Sequence, residues 1–220
     1  MAEKATTNER LLAAYQRLAE RRLIVGAEGN VSERAAGGML ISVTGARAGE
    51  VGVESFVDCD LNGGHEAARK PSSEWAMHAA IYRNYPQAGA VVHTHSDACV
   101  ALAVQQRPLP PFHYQVARFG AGDVRCTPYA QFASQELASL AVTALSGRTA
   151  CLLGNHGMIC YAGTVREAVD AAELLETLAR QYLLACGSGT PRLLTESEVQ
   201  GALARYGSYS PAADSAVKED

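Results

Sequence analysis

Short, densely apolar runs alternate with longer segments of helical period along this chain, and that alternation limits its fold more than any other feature. Gly89–His95, Thr149–Gly154 and Met158–Tyr161 are too short for helices and too apolar for loops, so they read as buried strands. Val31–Arg34, Met39–Val43 and Ser55–Asp60 fit shorter strands separated by glycine-bearing turns. Between and around them lie helical patterns. Thr6-x-x-Glu9 is a capping-box signature for a helix to about Arg22, with Leu11, Leu12, Tyr15, Leu18 and Ala19 on one face. Ser72 or Ser73 is expected to cap a helix running to Tyr85, where Pro86 stops it. Asp97–Val104 and Ser134–Leu145 are predicted helical. Thr164-x-x-Glu167 opens the longest helix, ending near Gly187, and Thr195-x-x-Glu198 opens a last one that fades near Tyr206. The expected architecture is one α/β domain over residues 1–210, a central mixed, mainly antiparallel sheet flanked by helices, with 211–220 a frayed tail.

Composition removes several function classes. Hydrophobic residues make up 48% and charged residues 19% of the 220, enough apolar surface for a core and too much for wholesale disorder. The 19 Lys+Arg against 23 Asp+Glu leave a formal charge of -4, opposite in sign to the footprint of a nucleic-acid binder. The longest tidy apolar run, Ala98 to Val104, falls far short of the roughly 18 residues of a membrane span. The opening MAEKATTNER has no apolar signal core, so a cytoplasmic address is expected. No GxGxxG or GKS/T follows a strand, which leaves nucleotide folds without support. The six cysteines form no CxxC pair and read as reduced thiols, with Cys99, Cys151 and Cys160 set among aliphatic neighbours.

The chemistry concentrates in histidines. His93 and His95 flank Thr94 at the end of the Ala90–Val92 strand, and side chains two apart on a strand share a face. Two imidazoles so placed can meet one divalent transition metal, although core or solvated histidines have the same spacing. His156, in Leu153-Gly154-Asn155-His156-Gly157, ends another apolar strand as a third ligand would, or simply occupies a turn. Glu74 opens a predicted helix, where it is a favourable N-terminal charge and equally a carboxylate available to a metal or a proton. The turns at Gly26–Asn30, Thr44-Gly45 and Ser72-Ser73 are ordinary turns or, taken together, a cradle of amides and hydroxyls for an anion.

GAEGNVSER (26–34), ISVTGA (41–46), KPSSEWAMHAAIYRNYPQAGAVVHTHSD (70–97), TPYAQF (127–132) and LLGNHGMIC (152–160) extend over about 135 residues. In that order these blocks resemble the class II aldolase/adducin family. The resemblance implies Zn2+, with Mn2+ or Co2+ as alternatives, held by His93, His95 and His156, with Glu74 as fourth ligand when substrate is absent. It implies a phosphate site from Gly29, Asn30, Thr44, Gly45, Ser72 and Ser73, and catalytic assistance from Tyr114 and the tail residue Tyr209. It further implies a homotetramer with sites between subunits. The sequence departs from the family's pattern at two places: Ala27 and Glu28 replace small polar or neutral residues before the Gly-Asn pair, Glu28 bringing a negative charge, and Val43 replaces a proline before Thr44.

The activity expected from this resemblance is reversible cleavage of a ketose 1-phosphate, such as L-fuculose 1-phosphate, to dihydroxyacetone phosphate and an aldehyde. A metal-stabilised enediolate fits a chain whose only lysines are Lys4, Lys70 and Lys218, few candidates for a Schiff base. Glu74 would carry the C–H proton, and Tyr114 or Tyr209 would exchange one with the aldehyde oxygen. Sugar-acid phosphate decarboxylase, pentulose-phosphate 4-epimerase and methylthioribulose-phosphate dehydratase remain alternatives on the same scaffold. A non-enzymatic adducin-like interaction domain, or a binding protein with a closed structural zinc site, is the alternative outside enzymes.

Overall fold

The computed structural model describes residues 2–66 and 68–208. In chain order the elements are α1 (Ala2–Glu20), β1 (Gly29–Ala35), β2 (Gly38–Ser42), β3 (Phe56–Asp60), α2 (Trp75–Asn84), β4 (Ala90–Thr94), α3 (Asp97–Ala103), α4 (Gln135–Ala144), β5 (Ala150–Leu153), β6 (Gly157–Ala162), α5 (Val165–Ser188) and α6 (Glu196–Ser208). Short 3-10 turns at Val53–Ser55 and Tyr114–Phe119 complete the set; the second fell in a stretch that the sequence marked only as loop.

The six strands form one sheet in the order β3-β2-β1-β4-β6-β5, and every ladder in it is antiparallel. A single parallel pairing, the isolated bridge between Cys126 and Leu152, lies at its edge. Alternation along the strands sends Val31, Leu40, Val92, Met158 and Cys160 to one face, against α1, α3 and α5. Met39, Ile41, Val91, Ile159 and Tyr161 go to the other, against α2 and α4. Both faces are therefore dry, which explains why β5, β6 and the Ala90–Val92 part of β4 are apolar instead of alternating with polar residues. All six cysteines are free, and Cys59, Cys99, Cys151 and Cys160 are buried.

Helix ends follow local chemistry, with two corrections to the sequence reading. The Thr164 side chain accepts the Glu167 N–H at the start of α5. At α6, Thr195 Oγ1 accepts from the Glu198 N–H while Glu198 Oε2 accepts from the Thr195 N–H, the reciprocal pair of a full capping box. The first helix does not begin at Thr6, because α1 already runs from Ala2. Nor does Ser72 or Ser73 cap α2: its N-cap is Glu74, without a side-chain cap bond, and Ser72 Oγ instead accepts the Glu74 N–H at 3.3 Å. The loop pairs with the sheet first (Ser72 N–H to the Ser42 carbonyl, 2.9 Å), which delays the helix by a residue or two. Among the described residues no helix is long and apolar enough to cross a membrane. Tyr209 and the 211–220 tail lie outside the described residues.

Candidate metal centre

Three neighbouring strands and one helix start converge at one end of the sheet. β4 is the central strand there, and its register opposite β1 puts His93 across from Asn30. Opposite β6 the same His93 faces Ile159, so the β5–β6 turn holding Gly154, Asn155 and His156 closes beside His95. That turn needs its flanking glycine: a Cβ on Gly157 would overlap the Thr94 carbonyl. Gly29 is similarly constrained, since at φ +140 a Cβ would lie 2.8 Å from Ile24 Cγ1 and 3.0 Å from the His93 carbonyl. Both glycines of these sequence blocks thus keep backbone close to the histidine-bearing strand.

Glu74, His93, His95 and His156 come together, each offering one ligand atom, with those atoms all within 4.8 Å of one another. The three imidazole rings have centroid separations of 4.9, 4.9 and 4.7 Å and stand nearly perpendicular in pairs. His93 Nδ1 donates to the Met158 carbonyl at 2.8 Å, which fixes the tautomer and turns the Nε2 lone pair inward. That Nε2 lies 3.0 Å from His95 Nε2 and 3.1 Å from Glu74 Oε2, while His156 Nε2 lies 3.3 Å from Glu74 Oε1. Glu74 is 7% exposed, and its Oε1 is buried with no hydrogen-bond partner. Lone pairs of three imidazoles and an unpartnered carboxylate oxygen facing one point are costly together unless a cation joins them. The donor set, three nitrogens and one oxygen, is the kind that holds zinc or a similar divalent transition metal.

The shifts of His95 and His156 agree with that donor set. Burial, and then the charge of His93 and His156, pushes His95 down to about 3. Burial and His93 likewise push His156 down to about 4, so both rings are neutral at physiological pH, as metal ligation would require. Burial opposes the charge on Glu74, but His93, His156 and the Asn30 amide outweigh it and hold the carboxyl well below the usual carboxylate range. His93 moves up despite its burial, because Glu74 sits against it.

The other sequence candidates are arranged unevenly. Val43 pairs with Pro71 in an isolated bridge and Thr44 N–H reaches the Lys70 carbonyl at 2.9 Å, bringing Thr44-Gly45 beside Ser72-Ser73. The 43–46 turn closes without proline, through the Ala46 N–H to the Val43 carbonyl. Thr44, Gly45 and Ser73 are exposed; Asn30 and Ser72 are buried behind them. The Asn30 side chain points to Glu74 and His78, at 3.0 and 2.5 Å. Glu28 is largely exposed and comes within 3.9 Å of His95 Nδ1, on the outer side of that ring and beyond hydrogen-bond reach. Tyr114 is exposed and stacks near Tyr206, centroids 6.4 Å apart; it does not line the cleft at Glu74 within this chain. Tyr129 and Phe132 do line it, and the sequence reading gave them no role. Their signal was weak, an aromatic pair in the turn-rich TPYAQF segment.

The sequence matches the Class II Aldolase and Adducin N-terminal domain over residues 9–183. The chain belongs to the class II aldolase and adducin family. This family member is similar to the 5-methylthioribulose-1-phosphate/5-deoxyribulose-1-phosphate aldolase of Rhodospirillum rubrum, 40% identical over 184 residues, 84% of this chain and 83% of the relative. It is also similar to the L-fuculose phosphate aldolase of Haemophilus influenzae, 36% identical over 208 residues, 94% of this chain and 96% of that one. A solved L-fuculose 1-phosphate aldolase superposes with a TM-score of 0.87 at 33% identity, covering 92% of this chain and 96% of its own. Curated relatives and solved structure alike are aldolases, and they differ in the sugar phosphate they are named for.

Proposed function

We propose that this chain is a metal-dependent aldolase that reversibly cleaves a ketose 1-phosphate to dihydroxyacetone phosphate and an aldehyde. The observation that carries the reading is the buried Glu74–His93–His95–His156 cluster with its unpartnered carboxylate oxygen. The relatives named as ketose-1-phosphate aldolases support the substrate class, with L-fuculose 1-phosphate and the 5-deoxy and 5-methylthio pentulose phosphates as the substrates to try. Zn2+ is the proposed ion, with Mn2+ or Co2+ as alternatives, held by the three histidines and Glu74. Bound there, the ion supplies Lewis acidity toward a ketose carbonyl and its adjacent hydroxyl.

The chain's own groups do the rest. Asn30 occupies Glu74 Oε2, which leaves Oε1 as the atom that takes and returns the substrate proton. Thr44, Gly45 and Ser73 present hydroxyls and turn amides to the phosphate, with Gly29, Asn30 and Ser72 forming the wall behind. Tyr129 and Phe132 give the open side of the cleft an apolar, water-excluding rim for the aldehyde portion. Tyr114 and Tyr209 are assigned to proton exchange with the aldehyde oxygen from a neighbouring subunit of a homotetramer, since Tyr114 does not line the cleft of its own chain. A cytoplasmic enzyme of sugar-phosphate metabolism is the setting this reading implies.

The test incubates purified, metal-loaded protein with each of the three ketose 1-phosphates and follows dihydroxyacetone phosphate release. Cleavage of at least one substrate is expected, together with loss of bound metal and activity in His95→Ala. Full activity in a His95→Ala protein stripped of metal would overturn the proposal, as would wild-type protein that epimerises or decarboxylates sugar phosphates without cleaving any of them.

A further inference from the structure

A buried line of polar side chains leads away from Glu74 into the space between sheet and helix. Asn30 Nδ2 donates to Glu74 Oε2 at 3.0 Å, and Asn30 Oδ1 lies 2.5 Å from His78 Nε2. His78 Nδ1 is 2.7 Å from Ser32 Oγ, which is 2.8 Å from the Tyr82 hydroxyl. His78 and Ser32 are fully buried, Tyr82 and Asn30 almost so. Two periodicities build the line: Asn30 and Ser32 share a face of β1, and Glu74, His78 and Tyr82 recur every fourth residue along α2.

We propose that His78, with Ser32 and Tyr82 behind it, is a positioning unit that locks the Asn30 amide toward Glu74. This rests on the reading of Glu74 as the proton-carrying carboxylate. The direction of the line follows from its first member. An ionised carboxylate only accepts, so Asn30 must present Nδ2 to it and Oδ1 to His78. His78 Nε2 must then carry the ring proton, which leaves Nδ1 as an acceptor. Ser32 can satisfy Nδ1 only by donating, and its oxygen then accepts from Tyr82. Reversing any link turns Asn30 Oδ1 onto Glu74 Oε2 and sets two acceptors 3.0 Å apart in a buried space. A neutral His78 is consistent with this order, burial and then His93 pushing it down to about 3. The unit therefore decides which oxygen of Glu74 is spent and which stays reactive, and it takes the Asn30 amide oxygen out of any contact with substrate.

The experiment has two arms. In 15N-histidine-labelled wild-type protein, the ring-nitrogen shifts of His78 are expected to show the neutral Nε2–H tautomer; an Nδ1–H tautomer or an imidazolium at neutral pH would overturn the proposal, whatever the substrate proves to be. In the kinetic arm, His78→Gln and Ser32→Ala, the second a smaller change should the first fail to fold, are metal-loaded and compared on the substrate cleaved. Loss of a partner that orients a site carboxylate is expected to lower kcat about 10-fold or more while KM stays within about twofold and bound metal is retained. Wild-type kcat in either folded, metal-loaded variant would also overturn it. A wild-type protein that cleaves no ketose phosphate defeats the aldolase reading and leaves the tautomer result to decide the positioning unit on its own.

Discussion

Helix α3 begins two residues after His95, and the carboxylate that caps it comes from a distant helix. Ser96 stands at its N-cap without a side-chain cap bond. In its place Glu176 of α5, 6% exposed, accepts from the Ala98 N–H with both oxygens (3.0 and 3.1 Å) and from the Cys99 N–H at 3.0 Å. Glu176→Gln keeps the volume but leaves one neutral oxygen for two amides. Hydrogen bonds to a charged acceptor contribute about 1.5–3 kcal/mol against about 1 for neutral ones, and a buried N–H left unpaired costs about 1–3 kcal/mol. The substitution is therefore expected to cost about 2–4 kcal/mol. In a chain of this size each kcal/mol moves Tm by about 2–4 °C, which gives a fall of roughly 4–16 °C in thermal unfolding followed by circular dichroism. Arg180→Ala is the control. Arg180 also contacts Glu176, at 3.1 Å, but its side chain is 64% exposed, and such ion pairs contribute about 1 kcal/mol or less. Equal melting temperatures for Glu176→Gln and Arg180→Ala would refute the reasoning, because they would mean that the carboxylate does no more for α3 than for a surface arginine.

Two further outcomes follow from the site. In metal-free protein, His78, His95 and His156 are held down at about 3, 3 and 4 from an ordinary 6.5, so the unfolded chain takes up their protons first. Stability is then full above about pH 6.5 and drains away as the pH falls toward the folded values; Glu74, held low, adds its own loss only below its ordinary 4.5, and His93, shifted up, works weakly against the trend. Urea midpoints measured from pH 7 to pH 4.5 should fall steadily, and a flat series would show that the rings are solvated in the folded protein. Gly157→Ala, whose methyl would collide with the Thr94 carbonyl, should open the β4–β6 ladder at its His156 end. Metal per chain, measured by elemental analysis, should drop sharply with the far-ultraviolet dichroism kept; undiminished metal content would mean that the turn absorbs the methyl.

What the sequence disclosed and what it hid divide along physical lines. Strands buried on both faces announce themselves as unbroken apolar runs, so β4, β5 and β6 were legible within a residue or two. Thr164 and Thr195 were legible as caps because the partner lies three residues away. Thr6 has the same local spacing but does not mark a helix start, since α1 begins upstream of it. The histidine cluster was visible because His93 and His95 are close in sequence and His156 ends a strand. The cap that Glu176 gives α3 and the contact between Asn30 and His78 were not, because the partners are 78 and 48 residues apart and only the folded chain makes them neighbours. His78 left one trace, its place one helical turn after Glu74, which many surface pairs share. Tyr114, expected near the reacting aldehyde, stacks near Tyr206 away from the cleft at Glu74, a placement that its local sequence does not disclose.

The strand order has one more consequence. Asn30, His93 and His156 belong to β1, β4 and the turn into β6, three strands laddered side by side, while Tyr129, Phe132, Thr44 and Ser73 lie on loops. Asn30 and His93 are thereby fixed by sheet register, which cannot change by small steps: sliding a strand by one residue would turn its side chains to the opposite face. The loops carry no such constraint. Substitutions at Ser73, Tyr129 or Phe132 can therefore reshape the cleft at Glu74 while Asn30 and His93 keep their places in the ladder.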